Sequence, residues 1–348
     1  MLSRAEVEAT VDSIAALQLP NGMIPWFPGG HADPWNHVEA AMALAVGGRI
    51  AEAEAAYQWL VDTQHDEGSW FQYYLDGTIE SYRLDANVCA YVAAGAWHHY
   101  LVTGDRGFLE TMGPVVAAAI DFVLRLQAPG GEITWCYEAD GRRGDFALLT
   151  SSSSIFFSLR CALAIARQLG DEPPDWELAA ARVGYSVATR EAHFEPKRRW
   201  AMDWYYPVLC GAVNGDEGRL RLKERWDDFV IDDLGVRCVS DRPWITAAET
   251  AECAMALESV GETAAAQDLL DWTKHLRHDD GSYWTGSVHP RDTHFPPDER
   301  TTYTSAAIVL ADDLLYGTGP SAGFFRGDTL PTAELEVARP NLSQAHTR

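Results

Sequence analysis

The sequence is poor in basic residues. Its 348 residues include 27 Lys and Arg against 51 Asp and Glu, a formal net charge of −24. No basic run is longer than Lys197-Arg198-Arg199. Nucleic acids and anionic membranes are bound through clustered positive charge, so neither is an expected partner. The acidic surface instead suits a neutral polymer or a neutral or cationic small molecule. The composition leaves the oligomeric state open.

Long apolar runs and metal-ligand spacings are also missing. No run of about 18 apolar residues predicts a transmembrane helix, and residues 1–6 lack the apolar core of a signal peptide. The six cysteines show no CxxC spacing, and most lie in apolar helical runs, where Cys packs as a small core residue. We therefore expect a reduced, cytoplasmic protein with neither a metal site nor a cofactor. The cysteines are Cys89, Cys136, Cys161, Cys210, Cys238 and Cys253.

What the sequence does contain is an internal repeat of about 40–65 residues. Each unit has a helix, a turn of the Gln-x-x-x-Gly type followed by Trp, and a second helix rich in small apolar residues. The clearest turns span 18–26, 64–70, 127–135 and 278–284. The apolar period predicts twelve helices. They span 3–19, 33–44, 50–64, about 84–102, 106–127, 151–169 and 175–191, then a helix from about 203, one over about 216–231, one that follows Trp244 and runs to 260, one over 262–277, and one that follows Tyr303 and runs to 315.

Two helices cannot bury their apolar faces alone, whereas six pairs can close into a ring. Alanine-rich segments such as 40–43 and 93–94 fit tightly packed inner helices. We therefore predict an all-α chain with an (α/α)6 toroid over residues 1–316, followed by an irregular C-terminal tail at 317–348. An open α-solenoid, built from the same units, is the alternative.

One end of such a ring collects the N-terminal segments of its inner helices. The stretch 29–44 illustrates the design, because Asp33 before Pro34 is a strong helix-start signal. Carboxylates and aromatic rings gathered at this end would line a sugar-binding cavity. The predicted substrate-binding residues are Trp35, His37, Glu39, Asp85, Asn87, Asp203, Trp204, Tyr205, Trp244, Glu252, Trp284 and Tyr303.

Hydrolysis of a glycosidic bond needs two carboxyl groups, and we predict Asp33 and Glu249. Asp33 follows a Gly-Gly loop that a polymer can reach, and Glu249 is an acid that helix packing does not need. We expect Glu249 to be the general acid, because greater burial would raise its pKa, and Asp33 to be the base of an inverting reaction. The roles could be reversed, and Glu252, Asp203 or Glu39 could replace either residue.

Structural interpretations compete with these functional ones. Asp33 and Asp85 could act only as helix caps, and His37 could merely pair with Asp33. The serines of 151–154 are better explained as a helix start than as nucleophiles, since no Gly-x-Ser-x-Gly motif surrounds them. Any of the aromatic residues could belong to the core. The segment 39–44 matches 252–257, which makes Glu39 and Glu252 equivalent residues of two repeats.

The turns resemble those of squalene cyclases and protein prenyltransferase β-subunits, which are also α/α toroids. The Asp-x-Asp-Asp acid of class II cyclases and a candidate zinc triplet are both missing. A terpene cyclase or prenyltransferase therefore remains only an alternative function.

A closer resemblance covers most of the chain. It is carried by the stretches IPWF (24–27), GHADPWNHVE (30–39), MDWYYPVL (202–209), RWDDFV (225–230) and DGSYWTG (280–286). These resemble an actinobacterial family associated with the synthesis of polymethylated polysaccharides, one member type being the methylmannose polysaccharide hydrolase. The resemblance implies a cytoplasmic glycoside hydrolase, an endo-α-mannanase acting on α-1,4-linked, partly 3-O-methylated mannan. A non-catalytic polysaccharide-binding protein is the other alternative.

Overall fold

The computed structural model describes residues 1–291 and 293–333, and they are mainly helical. The α-helices in this part of the chain are α1 (Arg4–Ala15), α2 (Pro34–Val46), α3 (Ile50–Thr63), α4 (Ala86–Ala90), α5 (Val92–Thr103), α6 (Arg106–Leu124), α7 (Leu149–Leu169), α8 (Pro174–Thr189), α9 (Ala201–Leu209), α10 (Gly215–Glu224), α11 (Trp226–Phe229), α12 (Ala247–Ser259), α13 (Thr263–Trp272) and α14 (Thr302–Tyr316).

Alternate helices form a closed inner ring. Helix α2 packs against α5, α5 against α7, α7 against α9, α9 against α12, α12 against α14, and α14 returns to α2. The remaining long helices lie outside, with α3, α6, α8, α10, α13 and α1 each packed against a member of the ring. Because the last inner helix contacts the first, the open solenoid does not describe this arrangement.

The repeated turns attach each unit to the next. The side-chain amide of Gln18 donates to the carbonyl of Gly22, 3.0 Å away, and to Glu52 O of α3, 2.8 Å away. Gln64 bonds its own turn and the carbonyl of Val115 in the same way. Gln127 repeats the pattern with Ala179 of α8. The glutamine of the repeat is therefore a structural link between consecutive outer helices.

The turn glycine is required for the same contact. At Gly22 the backbone has φ +91°, and a Cβ would lie 2.1 Å from the carbonyl oxygen of Ala55. Gly281 in the last turn, with φ +90°, would place a Cβ 2.6 Å from the backbone of Ala9 in α1. Only glycine fits such an approach. The last turn thus packs on the first helix, as a closed ring requires.

Small antiparallel sheets lie at the end of the ring where the inner helices begin, so the predicted all-α class is correct only for the ring of helices. The strands are β1 (Tyr73–Leu75), β2 (Thr78–Ser81), β3 (Leu84–Asp85), β4 (Cys136–Tyr137), β5 (Val230–Ile231), β6 (Gly235–Arg237), β7 (Trp244–Thr246), β8 (Gly286–Val288) and β9 (Thr293–His294). β1 pairs with β2, β3 pairs with β4, and β5 to β9 form a five-stranded sheet in chain order.

These strands correct three predicted helix boundaries. The helix predicted over 216–231 ends at Phe229 and continues as β5, and the segment from Trp244 is β7 before α12 begins. The helix predicted from residue 84 begins only at Ala86 and is interrupted at Tyr91. β-branched and aromatic residues in the segments 230–231 and 244–246 favour pairing in a sheet over a further helical turn.

The opposite end of the ring is filled by the segment 317–333, which contains no helix or strand. Phe324 and Phe325, 1% and 9% exposed, pack against Phe157 of α7. The Arg160 side chain donates to the carbonyl of Pro331, 2.9 Å away. This part of the predicted tail is packed on the helices, whereas residues 334–348 lie outside the described part of the chain.

Two helices, α6 and α7, are long and apolar enough to cross a membrane by length and composition alone. The prediction from uninterrupted apolar runs does not single them out, because scattered polar residues break both runs. In the structure 89% of the apolar window of α7 and 44% of that of α6 are buried. Both helices also pack against other helices of the ring, as core helices of this length do.

Candidate active site

A cavity of about 260 Å3 opens at the end of the ring where the inner helices begin. Its walls come from the first turns of α2, α4, α9, α12 and α14 and from strand β1. The residues that line it are Trp26, Asp33, Trp35, Asn36, Glu39, Gln72, Tyr73, Asp85, Val88, Met202, Ala248, Glu249, Glu252 and Tyr303. Five carboxyl groups and four aromatic rings therefore share one opening, and both predicted catalytic residues are among them.

Asp33 caps α2 and also lines the cavity, so the cap and the functional interpretations hold together. Its Oδ1 accepts from the backbone N–H of Asn36 at 3.0 Å. Its Oδ2 accepts from the indole N–H of Trp26 and from the Asn36 amide, both at 2.7 Å. Burial raises the pKa of Asp33, while these donors act in the opposite direction. The side chain is thus held in one orientation with its charged form supported.

Asp85 repeats the same arrangement at the start of α4. One of its oxygens accepts from the backbone N–H groups of Asn87 and Val88. The other accepts from the indole N–H of Trp135. Burial raises the pKa of Asp85 to about 6, against the effect of these donors. Two inner helices therefore present capped carboxylates, each fixed by a tryptophan from another loop, to one cavity.

Glu39 and Glu252 form the floor of the cavity. Trp35 donates its indole N–H to Glu39 Oε1 at 2.9 Å, and both Tyr205 and Tyr206 donate their hydroxyls to Glu252. Burial raises the pKa of Glu39 well above its usual range, and the neighbouring Glu252 raises it further. Burial also raises the pKa of Glu252 to about 7. The predicted equivalence of these two residues thus corresponds to a facing pair of carboxyl groups.

Glu249 lies one turn above Glu252 on α12, nearer the opening. It is partly exposed, whereas Asp33 is only 3% exposed. Burial nevertheless raises the pKa of Glu249. The expectation that Glu249 is the more buried of the two was wrong, because it lies close to the mouth. Burial raises the pKa of both groups, and at Asp33 the hydrogen bonds from Trp26 and Asn36 oppose that rise.

Several predicted binding residues lie behind the cavity wall rather than in it. His37 is 1% exposed; its Nδ1 accepts from the backbone of Ile24 and its Nε2 lies 2.9 Å from the carbonyl of Ala56. Asn87 is also buried and is not among the residues that line the cavity. The hydrogen bonds of His37 to Ile24 and Ala56 give His37 a packing role.

The segment 203–205 likewise supports the wall. Asp203 accepts a hydrogen bond from Thr150 at 2.7 Å and does not line the cavity. Trp204 is 1% exposed and stacks on Phe229 with ring centroids 5.1 Å apart. Tyr205 is fully buried and reaches the site only through Glu252. Met202 is the residue of this helix start that lines the cavity.

Two further predicted residues belong to the five-stranded sheet or its edge: Trp244 begins β7, and Trp284 lies two residues before β8. Trp244 stacks on Phe295, with centroids 4.3 Å apart and planes 7° from parallel. Trp284 stacks on His294 at 3.8 Å. Neither is among the residues that line the cavity, so each belongs to the surroundings of the site.

Sequence reasoning missed the two tryptophans that hold the capped carboxylates. Trp26 and Trp135 each lie eight residues after the glutamine of their turn, whereas Trp70 lies six residues after Gln64. Trp70 is fully buried and bonds the carbonyl of Leu60, away from the site. The longer spacing was a signal that these two turns reach the cavity. Gln72 and Tyr73, just before and at the start of a strand that was not predicted, gave no comparable signal.

In residues 1–291 and 293–333 there is no group of three or more His, Cys, Asp or Glu side chains arranged to hold a metal ion. Four of the five cavity carboxyl groups, those of Asp33, Glu39, Asp85 and Glu252, accept hydrogen bonds from tryptophan, tyrosine or amide donors. The site can therefore perform proton transfer between carboxyl groups and a bound neutral substrate.

Solved structures share this fold at low sequence identity. A structure described as wild-type glycosidase superimposes with a TM-score of 0.71 and 17% identity over 90% of this chain and 99% of its own. A GH63 mannosylglycerate hydrolase from Thermus thermophilus gives 0.68 and 13%, covering 88% and 98% of the two chains. A D-mannose isomerase gives 0.63 and 12%, covering 88% and 96%. Because the fold also carries an isomerase, fold likeness alone does not choose the reaction.

Sequence comparison is more specific. No family model matches the chain. A relative from Mycolicibacterium hassiacum named MMP endo-(1,4)-3-O-methyl-alpha-D-mannosidase is 50% identical over 331 residues, which cover 95% of this chain and 92% of the relative. With half of the aligned residues identical along nearly the whole length of both proteins, the chain belongs to the family of this endo-mannosidase and is a glycoside hydrolase.

Proposed function

We propose that the chain is an (α/α)6 toroid that hydrolyses internal α-1,4 linkages of a partly 3-O-methylated mannan, with inversion at the anomeric carbon. The observation that carries the proposal is the cavity itself. Carboxyl groups with raised pKa and aromatic rings converge there on a space for a neutral sugar. The name of the 50% identical relative supplies the linkage and the methylation.

The mechanism assigns one proton transfer to each predicted catalytic residue. Glu249, whose pKa is raised by burial, donates a proton to the glycosidic oxygen as the bond from the anomeric carbon breaks. Asp33, whose charged form accepts hydrogen bonds from Trp26 and Asn36, takes a proton from the water whose oxygen attacks that carbon. Water thus supplies the new hydroxyl of one product and, through the two carboxyl groups, the proton of the other.

Burial and the cavity walls support this assignment. Glu249 lines the cavity and burial raises its pKa, so its proton is easier to retain near neutral pH. Tyr303, packed edge-to-face on Trp26 with centroids 5.0 Å apart, provides an aromatic wall next to Asp33. Sugar rings expose apolar C–H faces that such walls can bind.

The test is product analysis on α-1,4-mannan oligosaccharides with and without 3-O-methyl groups. Mass spectrometry should detect internal cleavage, and proton NMR during the first turnovers should show β-anomers released from α linkages. Early α-anomers would mean retention and would remove Asp33 as the water-activating base. Absence of hydrolysis of any α-mannan would refute the proposed function.

We also propose a cytoplasmic location. All six cysteines are buried free thiols, as is usual for proteins kept in a reducing compartment. Immunodetection of the chain in fractionated cells would test this, and recovery in the secreted fraction would contradict it.

A further inference from the structure

The cavity is small beside the polymer that the proposed function requires. Its volume of about 260 Å3 lies among the first turns of the inner helices, and the space behind Glu39 and Glu252 amounts to only about 10 Å3. A polysaccharide cleaved internally must therefore continue outside the cavity on both sides of the broken bond. The surface around the opening is where further contacts with the chain would be made.

Two exposed aromatic side chains lie on that surface. In the described part of the chain, the exposed large hydrophobic residues are Met1, Tyr82, Leu178, Trp200 and Leu220. The aromatic members are Tyr82, 54% exposed, and Trp200, 49% exposed. Tyr and Trp are enriched at binding interfaces, because each side chain combines a large apolar ring with a polar hydrogen-bonding group.

Tyr82 is attached to the cavity wall through β1 and β2. The Gln72 backbone N–H donates to the carbonyl of Arg83 at 2.8 Å, and the Ser81 hydroxyl donates to the Gln72 side chain at 3.2 Å. Gln72 and Tyr73 line the cavity. One edge of the Tyr82 ring packs on Phe71, with centroids 5.1 Å apart, which leaves much of the ring exposed.

Trp200 occupies a corresponding position at another inner helix. It is the residue before α9 and lies two residues from Met202, which lines the cavity. Its backbone is fixed by a β-bridge with Val239 and by the N–H bond to Lys197 O at 2.8 Å. The exposed indole is thus carried on a firmly held segment at the rim.

We infer that Tyr82 and Trp200 are outer glycan-binding platforms that hold the methylated mannan chain beyond the catalytic cavity, an inference that rests on the proposed function. A methyl ether replaces a hydroxyl donor with an apolar group, so a methylated sugar gains more from an aromatic face than an unmodified one. Tyr82 precedes α4 and Trp200 precedes α9, and both of these helices pack against α7. We therefore expect the two platforms to bind the same outgoing end of the polymer.

The test compares substrate lengths. Hydrolysis is measured for 3-O-methylated α-1,4-mannan from the shortest oligosaccharide cleaved up to the polymer, using Tyr82→Ala, Trp200→Ala and the double variant. Each single change should lower kcat/KM on long chains about tenfold, the size expected when one aromatic face no longer leaves water, and leave the shortest substrate unchanged. Trp200→Phe should restore most of the loss.

Leu220→Ala is the matched control, because Leu220 is 56% exposed on the outer helix α10. It should behave as the parent protein on every length. An equal loss on all lengths, or no loss on any, would overturn the inference. If the parent protein cleaves no mannan, the proposed function fails. The platforms are then tested by electrophoresis in gels that contain intact methylated mannan. The mannan should retard the parent protein but not the double variant. A parent protein that is not retarded would overturn the inference as well.

Discussion

The two ends of the helical ring are built from the same inner helices but differ in almost every chemical respect. At the end where these helices begin, carboxylates, indoles and hydroxyls surround an open cavity. At the end where they finish, Phe324, Phe325 and Leu330 pack into the ring and leave little space. The polar end is lined by side chains that could bind and react, and the apolar end by side chains that only pack.

Helix chemistry explains why the carboxylates gather at one end. The first turn of a helix has free N–H groups and a partial positive charge, which stabilise Asp and Glu. Asp33 and Asp85 use this directly as caps of α2 and α4. Parallel inner helices place all their N-termini together, so an arrangement that helps each helix fold also concentrates acids at one opening.

The largest effect should come from removing one acid at the open end. Asp33→Asn and Glu249→Gln should each lower the hydrolysis rate between about a hundredfold and ten-thousandfold, because one proton transfer is lost. Asn is a good cap, so Asp33→Asn should remain folded. Reducing-end release and thermal unfolding provide the measurements.

Asp85→Asn is the matched control for Asp33→Asn, since Asp85 has the same cap and indole contacts in the same cavity. Its loss of rate should be clearly smaller. Full activity of Asp33→Asn or Glu249→Gln would remove that residue from the mechanism, and unfolding of Asp33→Asn would leave Asp33 only its structural role.

A substitution at the closed end should lower the stability of the protein without lowering its rate of hydrolysis. Phe324 is 1% exposed and packs edge-to-face on Phe157 at 5.0 Å, so Phe324→Ala should cost about 3–5 kcal/mol in the free energy of unfolding. The folded fraction should keep its kcat. Urea denaturation measures the first quantity and activity per folded molecule the second. A lower kcat with unchanged stability would show that the ends are not independent.

Within the open end, alanine substitutions of Trp35 and Trp204 should distinguish a substrate-binding role from a packing role. Trp35 lines the cavity and is partly exposed, so Trp35→Ala should raise KM about tenfold with little change in stability. Trp204 is buried against Phe229, so Trp204→Ala should cost about 3–5 kcal/mol of stability. Unfolding of both variants would contradict the subsite role of Trp35.

The two ends should also respond to pH in opposite directions. Glu252 has a folded pKa of about 7 against 4.5 for a free side chain, so its stabilising effect is full below pH 4.5 and is lost as the pH rises to about 7. Buried His98, beside Phe324, has a pKa lowered by burial to about 3 from 6.5. Its contribution is full above pH 6.5 and is lost as the pH falls towards 3.

Denaturant titrations between pH 4 and 7.5 would measure both effects. The stability of Glu252→Gln relative to the parent protein should rise with pH, by an amount on the order of a few kcal/mol over the range. The relative stability of His98→Gln should rise as the pH falls. Parallel slopes for a variant and the parent protein would exclude the corresponding titration.

The smallest effect is expected from chelation. Four of the five cavity carboxyl groups accept hydrogen bonds from nitrogen or hydroxyl donors, and the described residues contain no metal-ligating cluster. Dialysis against EDTA should leave the hydrolysis rate unchanged. Complete loss that an added divalent cation restores would contradict this.

The repeat allowed the order of inner and outer helices to be predicted, because Gln18, Gln64 and Gln127 mark turns with one physical role. The acid-rich end followed from Asp33 before Pro34. The pattern did not show which residues near the start of each inner helix face the cavity. Trp35 and Glu39, four apart on α2, face the cavity, whereas His37 between them faces α3.

Neighbouring repeats also differ in ways that a shared motif hides. Trp204 lies near the start of an inner helix, as Trp35 does, but its side chain packs outward on α10 and α11. Its indole N–H donates to the carbonyl of Arg221, and its ring stacks on Phe229. The strands at the mouth were missed because each is only two to four residues long, too short for its alternation to stand out. They nevertheless carry Asp85 and position Tyr73.

The segment 317–333 that fills the far end of the ring has a consequence for how a polymer is handled. Since the interior stops at Glu39 and Glu252, no chain can thread through the molecule, and both fragments must leave by the opening where the substrate entered. A mechanism in which the polymer is threaded through the ring and cut stepwise from one end is therefore excluded. A long mannan should shorten through intermediates of broad length from the first minutes of reaction, with no early ladder of small fragments.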